Sequence, residues 1–155
     1  IYPTWDTDTI KKLSREIEQE LQCDNWRKFI SNLWGNCPNA WHSELKGEDR
    51  NRAIINIFTR MRYLKPSGDL DFSVKDGPTS QNSYLIPWFN FKGALKRKER
   101  ILFGHWSSLG LIIRKEFVSL DTGCGRGELL TAIRLGDNRV FSTQVIDDML
   151  STSYV

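Results

Sequence analysis

Long apolar runs are missing from this 155-residue chain. No stretch approaches the roughly 18 residues that a membrane-crossing helix needs, and no basic segment leading into an apolar one stands at its start. A membrane partner and a visible secretion signal are therefore not expected. Cysteine is scarce: Cys23, Cys37 and Cys124 are three in number and far apart. With no CxxC spacing they exclude a disulfide framework, a metal ribbon and a dithiol redox motif, and they suit a reducing cytoplasm. Histidine is scarcer still, with His42 and His105 alone. Strong charge of one sign is also lacking: a net +3 with both signs interleaved does not call for nucleic acid, although anionic ligands stay open. An initiator methionine is absent, and the opening Ile1-Tyr2-Pro3-Thr4-Trp5 reads as the interior of a longer protein.

What is present suffices for a core, with 39% apolar and 12% aromatic residues. From Asp6 to Gln22, Ile10, Leu13, Ile17 and Leu21 recur at spacings of three and four, predicting an amphipathic helix with Thr7 or Thr9 to cap it. Trp26, Phe29, Ile30 and Leu33 predict a short second helix over 24–33, stopped by Gly35 and Pro38. The spacing of Ala53, Ile54, Ile57, Phe58 and Met61 predicts a third over 49–63, with Arg50, Arg52, Arg60 and Arg62 along it. Residues 65–87 carry three prolines and several glycines, and read as a loop with one short strand near Leu70 to Val74.

After Arg100 the rhythm shortens. Ile101–Phe103, Phe117–Leu120, Leu130–Arg134 and Arg139–Phe141 read as strands, the last two joined as a hairpin through Gly136-Asp137-Asn138. Helices first and strands last indicate an α+β chain rather than repeated βαβ units. The segment FVSLDTGCGRGEL, 117–129, resembles the strand and glycine-rich turn that opens many class I methyltransferases, with Asp121 at the strand end. A helix should then follow the glycines; the predicted hairpin makes a glycine turn between two strands the better reading.

Several motifs taken together have a sharper likeness. FGHW at 103–106, then SSLGL, SLDTGC and LLTAIRL, resemble the closing segment of calcineurin-like metallophosphatases. Upstream, Trp34-Gly35, Pro38-Asn39, Trp41, Glu44-Leu45, Gly47, Arg50, Arg52, Asn56 and FTRMR at 58–62 are similar to the bacterial symmetrical diadenosine-tetraphosphate hydrolases within that superfamily. The likeness runs from Trp5 to about Phe141, and it departs from the family's usual aromatic and second glycine at Arg126 and Glu128, as drift on an exposed turn would.

The resemblance implies the C-terminal half of a two-sheet α/β/β/α sandwich. Residues 1–98 would form a helical cap and substrate-facing loops, 99–145 mainly antiparallel strands of the second sheet, and 146–155 a tail. It implies two divalent metal ions, manganese or cobalt with iron as a further option, and His105 as one imidazole ligand. The Asp-x-His, Asp-x-x-Asp and Asn-His motifs of the family's N-terminal half are not in the sequence. The isolated chain is therefore expected to be inactive, with that missing half as its partner.

Diadenosine tetraphosphate and related dinucleoside polyphosphates are the implied substrates. Their bridge calls for guanidinium groups, so Arg60 and Arg62 are preferred, then Arg50 and Arg52. Trp34, Trp41, Trp88 and Trp106 are candidates for stacking on adenine, and His42 is read as a surface residue. A non-catalytic nucleotide- or partner-binding fragment, and a protein phosphatase on the same scaffold, remain as alternatives.

Overall fold

The computed structural model describes residues 1–94, 96 and 98–145, so the expected tail at 146–155 lies outside the described residues. The chain divides into two compact units, Ile1–Arg97 and Lys98–Val155. Among the described residues there are three α-helices and eight short strands, a mixed α+β composition, and no helix is long and apolar enough to cross a membrane.

The first unit opens with α1 (Thr7–Gln22). Its cap is Asp6 rather than Thr7 or Thr9: the Asp6 carboxylate accepts from the Thr9 amide at 2.8 Å, satisfying a donor that has no partner within the helix. Leu13 and Ile17 of the predicted stripe are buried, while Leu21 at the frayed end is exposed. The second helix, α2 (Trp26–Ser31), is shorter than expected and buries no residue, so its apolar face is not part of this unit's core. The third, α3 (Gly47–Thr59), supplies the fully buried Ala53 and Ile54 together with Ile57 and Asn56.

Helix α3 begins two residues earlier and ends four residues earlier than its period suggests. Arg60 leaves helical geometry at φ −125°, and its amide closes the last bond to the Asn56 carbonyl at 2.9 Å. The cause lies downstream. Tyr63 and Leu64 have no exposure at all, and they form β1 (Tyr63–Leu64), the centre of a three-stranded antiparallel sheet between β2 (Leu70–Asp71) and β3 (Ile86–Pro87). Pairing on both sides requires extended backbone by residue 63, which overrides the helical spacing. Pro87, which has no amide hydrogen to donate, sits on an edge strand as it must. Beside the helices, Trp5 is buried and its ring meets Trp41 edge-on at 5.0 Å and Phe58 at 5.4 Å.

The second unit contains β4 (Ile101–Phe103), β5 (Ile112–Ile113) and β6 (Phe117–Ser119), in the order β4–β6–β5. The β4–β6 pair is parallel, an exception to the expected antiparallel pattern, while β5 pairs antiparallel with β6. Strand β6 is buried along its length, as a central strand covered on both sides should be. The predicted hairpin is present as β7 (Leu129–Ile133) and β8 (Val140–Gln144), with Thr131 opposite Ser142. Asn138, at φ +59°, takes the left-handed conformation that turns the chain.

Candidate functional site

Two neighbouring parallel strands must deliver their following turns to the same end of a sheet, and this places the candidate site of the second unit. Gly104-His105 follows β4, and Leu120-Asp121-Thr122-Gly123 follows β6. The pairing runs on into these turns, because the Leu120 amide donates to the Phe103 carbonyl at 3.0 Å. A Cβ added to Gly104 would lie 3.7 Å from the Asp121 Cβ, so the two turns are in contact range. Phe103, Gly104, Asp121, Thr122, Cys124 and Thr131 help to line an open depression of about 420 Å³.

His105 is exposed at the rim of this end, and its backbone is at φ +61°. A non-glycine residue held in the left-handed region costs of the order of 1–2 kcal/mol, and such positions concentrate where a side chain must be aimed. Trp106, next in the chain, is only 2% exposed, and its carbonyl accepts from the Leu109 amide at 2.9 Å, closing the turn that follows the imidazole. On the opposite turn the Asp121 carboxylate accepts from the Gly123 amide at 3.2 Å. Thr122, Thr131 and Ser142 form a chain of hydroxyl contacts at 2.7 and 3.0 Å that ties this turn to the β7–β8 hairpin. Nothing in the sequence pattern pointed to that chain.

The glycine turn itself does not lead into a helix. After Gly123 (φ +85°) comes a single 3₁₀ turn, Cys124–Arg126, then Gly127 (φ +82°) and strand β7. This is the strand-turn-strand arrangement, not the strand-turn-helix of a methyltransferase cofactor site. The departures at Arg126 and Glu128 separate here. Arg126 is exposed, whereas Glu128 folds over Gly123, where an added Cβ would fall 2.0 Å from its Oε2.

The four arginines lie in the first unit, and the structure gives each a different setting. Arg50 forms a two-point ion pair with Glu16, Nε to Oε2 at 3.0 Å and Nη2 to Oε1 at 3.2 Å, and lies 5.1 Å from the Trp41 ring centre. Arg52 donates to the carbonyls of Asn32 (2.8 Å) and Cys37 (3.0 Å) and pairs with Asp49. Arg60 donates to the Gly35 carbonyl at 3.0 Å and to Oδ1 of Asn56 and of Asn36 at 2.9 and 2.8 Å. Its guanidinium also lies over the rings of Trp34 and Phe72, at 5.0 and 4.8 Å. Arg62 is half-buried just before β1, its carbonyl accepting from the Trp88 amide at 2.9 Å. The expected helix 49–63 put all four on one cylinder; with α3 ending at Thr59, Arg60 and Arg62 lie beyond it. Of the four tryptophans considered for base stacking, Trp88 and Trp106 are buried at 2%, Trp41 is half-buried, and Trp34 is 83% exposed. His42 is exposed, in keeping with a surface position.

A dinuclear metal centre needs a cluster of donors. Among the described residues no group of three or more histidine, cysteine, aspartate or glutamate side chains is placed to hold a metal ion. The exposed imidazole of His105 fits the role of one ligand, while the described residues do not supply a full donor set.

No protein-family model matches the chain. It is 38% identical over 138 residues to the symmetrical bis(5'-nucleosyl)-tetraphosphatase of Burkholderia mallei, covering 89% of this chain and 49% of that protein. It is 40% identical over 141 residues to the protein of the same name from Aromatoleum aromaticum, covering 91% and 52% respectively. The Burkholderia pseudomallei protein gives the same 38% over 138 residues. The chain thus spans about half the length of the curated relatives it matches, and over that span it is similar to proteins named symmetrical bis(5'-nucleosyl)-tetraphosphatase.

Proposed function

We propose that the protein of which this chain forms about half hydrolyses diadenosine tetraphosphate symmetrically to two ADP. In balance, a water oxygen bonds to one of the two inner phosphorus atoms and the central P–O bridge breaks. The observation that carries this reading is the 38–40% identity over 89–91% of the chain to proteins bearing that name. Support from the site is the imidazole of His105, exposed at the end of a parallel strand pair on strained backbone.

In this reading His105 is one ligand of a two-metal centre, with manganese or cobalt as the expected ions and iron also compatible with imidazole and oxygen donors. When bound, such a pair of ions supplies a hydroxide nucleophile near neutral pH and neutralises charge on phosphoryl oxygens. The remaining ligands belong to the rest of the protein, which is the chain's necessary partner, and the isolated chain is inactive. Arg62 contacts the polyphosphate. Arg52 and Arg60 act chiefly by holding residues 32–37 in shape, and Arg50 by pairing α3 with Glu16 of α1. Trp106 braces the turn that aims His105. The protein works in the cytoplasm, on dinucleoside polyphosphates rather than on nucleic acid or membrane.

The test is a paired assay of the full-length protein with diadenosine tetraphosphate and a phosphoprotein. ADP as the sole nucleotide product, with bound metal lost and turnover down by about 100-fold or more in His105→Ala, is the expected result. Arg62→Ala should raise KM with little change in melting temperature. Turnover of the phosphoprotein alone would replace this reading with a protein phosphatase. Unaltered metal content and rate in His105→Ala would remove that residue from the centre.

A further inference from the structure

Trp34 is 83% exposed, yet it stands on a loop that several side chains of the first unit hold by hydrogen bonds. The loop's backbone carbonyls are taken in turn by α3 and its cap. Arg52 holds those of Asn32 and Cys37, while Asn56 and Arg60 converge on that of Gly35 at 2.9 and 3.0 Å. Arg60 also holds the Asn36 side chain at 2.8 Å, and Asn32 in turn donates to Glu48 at 2.7 Å. Asn56 is 1% exposed, a buried amide in mid-helix whose donor goes to this loop. Gly35 is at φ +144°, and a Cβ there would meet Arg52 Cδ at 3.3 Å. Three polar side chains thus fix residues 32–37, and what the fixed loop presents is an indole ring with the Arg60 guanidinium 5.0 Å from its centre. A rigid mount beneath an open aromatic ring suits recognition of a flat ligand, because little ordering remains to be done on binding.

We infer that Trp34 is a nucleobase-stacking platform. The inference rests on the dinucleoside polyphosphate reading for the identity of the flat group, a purine attached to a chain of phosphates. Stacking uses the ring's π face and needs no hydrogen-bond pattern, which matches a site built from one indole and an adjoining cation. Arg60 is a positioning residue here: its hydrogen bonds fix Gly35 and Asn36, on the C-terminal side of Trp34.

The experiment is equilibrium binding to the full-length protein of two probes that differ in the base alone, adenosine 5'-tetraphosphate and inorganic tetraphosphate. Trp34→Ala should weaken the adenosine compound about 5- to 150-fold, the range set by a stacking contribution of ~1–3 kcal/mol per base. It should leave inorganic tetraphosphate within about twofold. Trp34→Phe should keep most of the affinity, whereas Trp34→Leu, apolar but not aromatic, should behave like Trp34→Ala. Equal effects on both probes, no effect on either, retention in Trp34→Leu, or no binding of the adenosine compound by the unsubstituted protein would each overturn the inference. Loss of thermal stability in Trp34→Ala with unchanged affinities would make the ring a packing surface for the rest of the protein, and would also overturn it. Failure of the parent reading is seen separately, as absence of ADP release from diadenosine tetraphosphate.

Discussion

Replacing His105 by alanine and, separately, by glycine divides what the imidazole does from what its backbone costs. Both variants delete the same side chain, so every interaction of the ring cancels in the comparison between them. What remains is the price of φ +61°. Alanine in the left-handed region carries roughly 1–2 kcal/mol of steric cost, from which the greater freedom of glycine in the unfolded chain subtracts about 0.4–1 kcal/mol. His105→Gly should therefore be more stable than His105→Ala by about 1 kcal/mol, within a range of roughly 0–1.6 kcal/mol set by those two terms. Urea unfolding of the two variants side by side reads this as a shift in midpoint at constant slope. Metal content and turnover should fall together in both, since neither has an imidazole. If alanine proved the more stable of the pair, residue 105 would not be in the left-handed conformation, and the argument from strained backbone to an aimed ligand would collapse.

Asn56→Ala should lower unfolding free energy by about 1–3 kcal/mol, because a buried amide is lost and its partners at Gly35 and Arg60 each lose a hydrogen bond; thermal unfolding checks this. Asn56→Asp, which keeps the acceptor for Arg60 but not the donor for Gly35, should recover part of that loss. Asp71 gives a pH prediction. Burial raises its pKa, but hydrogen bonds from Ser73 and Val74 outweigh burial and leave it below the ordinary value. A lowered folded pKa means that the unfolded state takes up more protons on acidification, so the contribution is present above the unfolded pKa, near 3.9, and is lost as pH falls through the folded one. Asp71→Asn should therefore be less stable than the parent at pH 6, with the gap closing below about pH 4; a gap that widened on acidification would reverse the sign assigned here.

How far the sequence discloses this fold depends on the length over which a signal can accumulate. Helix α1 was legible because Leu13 and Ile17 belong to a stripe about three turns long, and the β7–β8 hairpin because a turn signal sits between two alternating runs. Strands β1, β3 and β5 are two residues each, too short for any period to show, and they exist because a neighbouring strand pairs with each. The same non-local pairing ended α3 before Arg60, which no helical spacing records. At the site, the residues GHW single out His105 as a candidate through family likeness, but its left-handed backbone has no signature in a histidine. The roles of Arg60 and Asn56 were hidden for a related reason: their partners at Gly35 and Asn36 lie more than twenty residues away, and family likeness at Trp34-Gly35 does not say which side chains hold the loop.

The β7–β8 hairpin bears on how the chain behaves in a tube or a cell. Leu129, Leu130, Leu135, Val140 and Phe141 are all 37–65% exposed, and every residue of β8 is open to water on a two-stranded sheet. Ribbons of this kind tend to recruit a further strand, from another copy if no other is at hand. The charged turn, with Arg134 paired to Asp137 and Arg139 stacked over Phe141, is the only brake visible on the hairpin itself among the described residues. Expressed by itself the chain should be sticky in proportion to its concentration, and colloidal behaviour, more than fold stability, would then govern its yield.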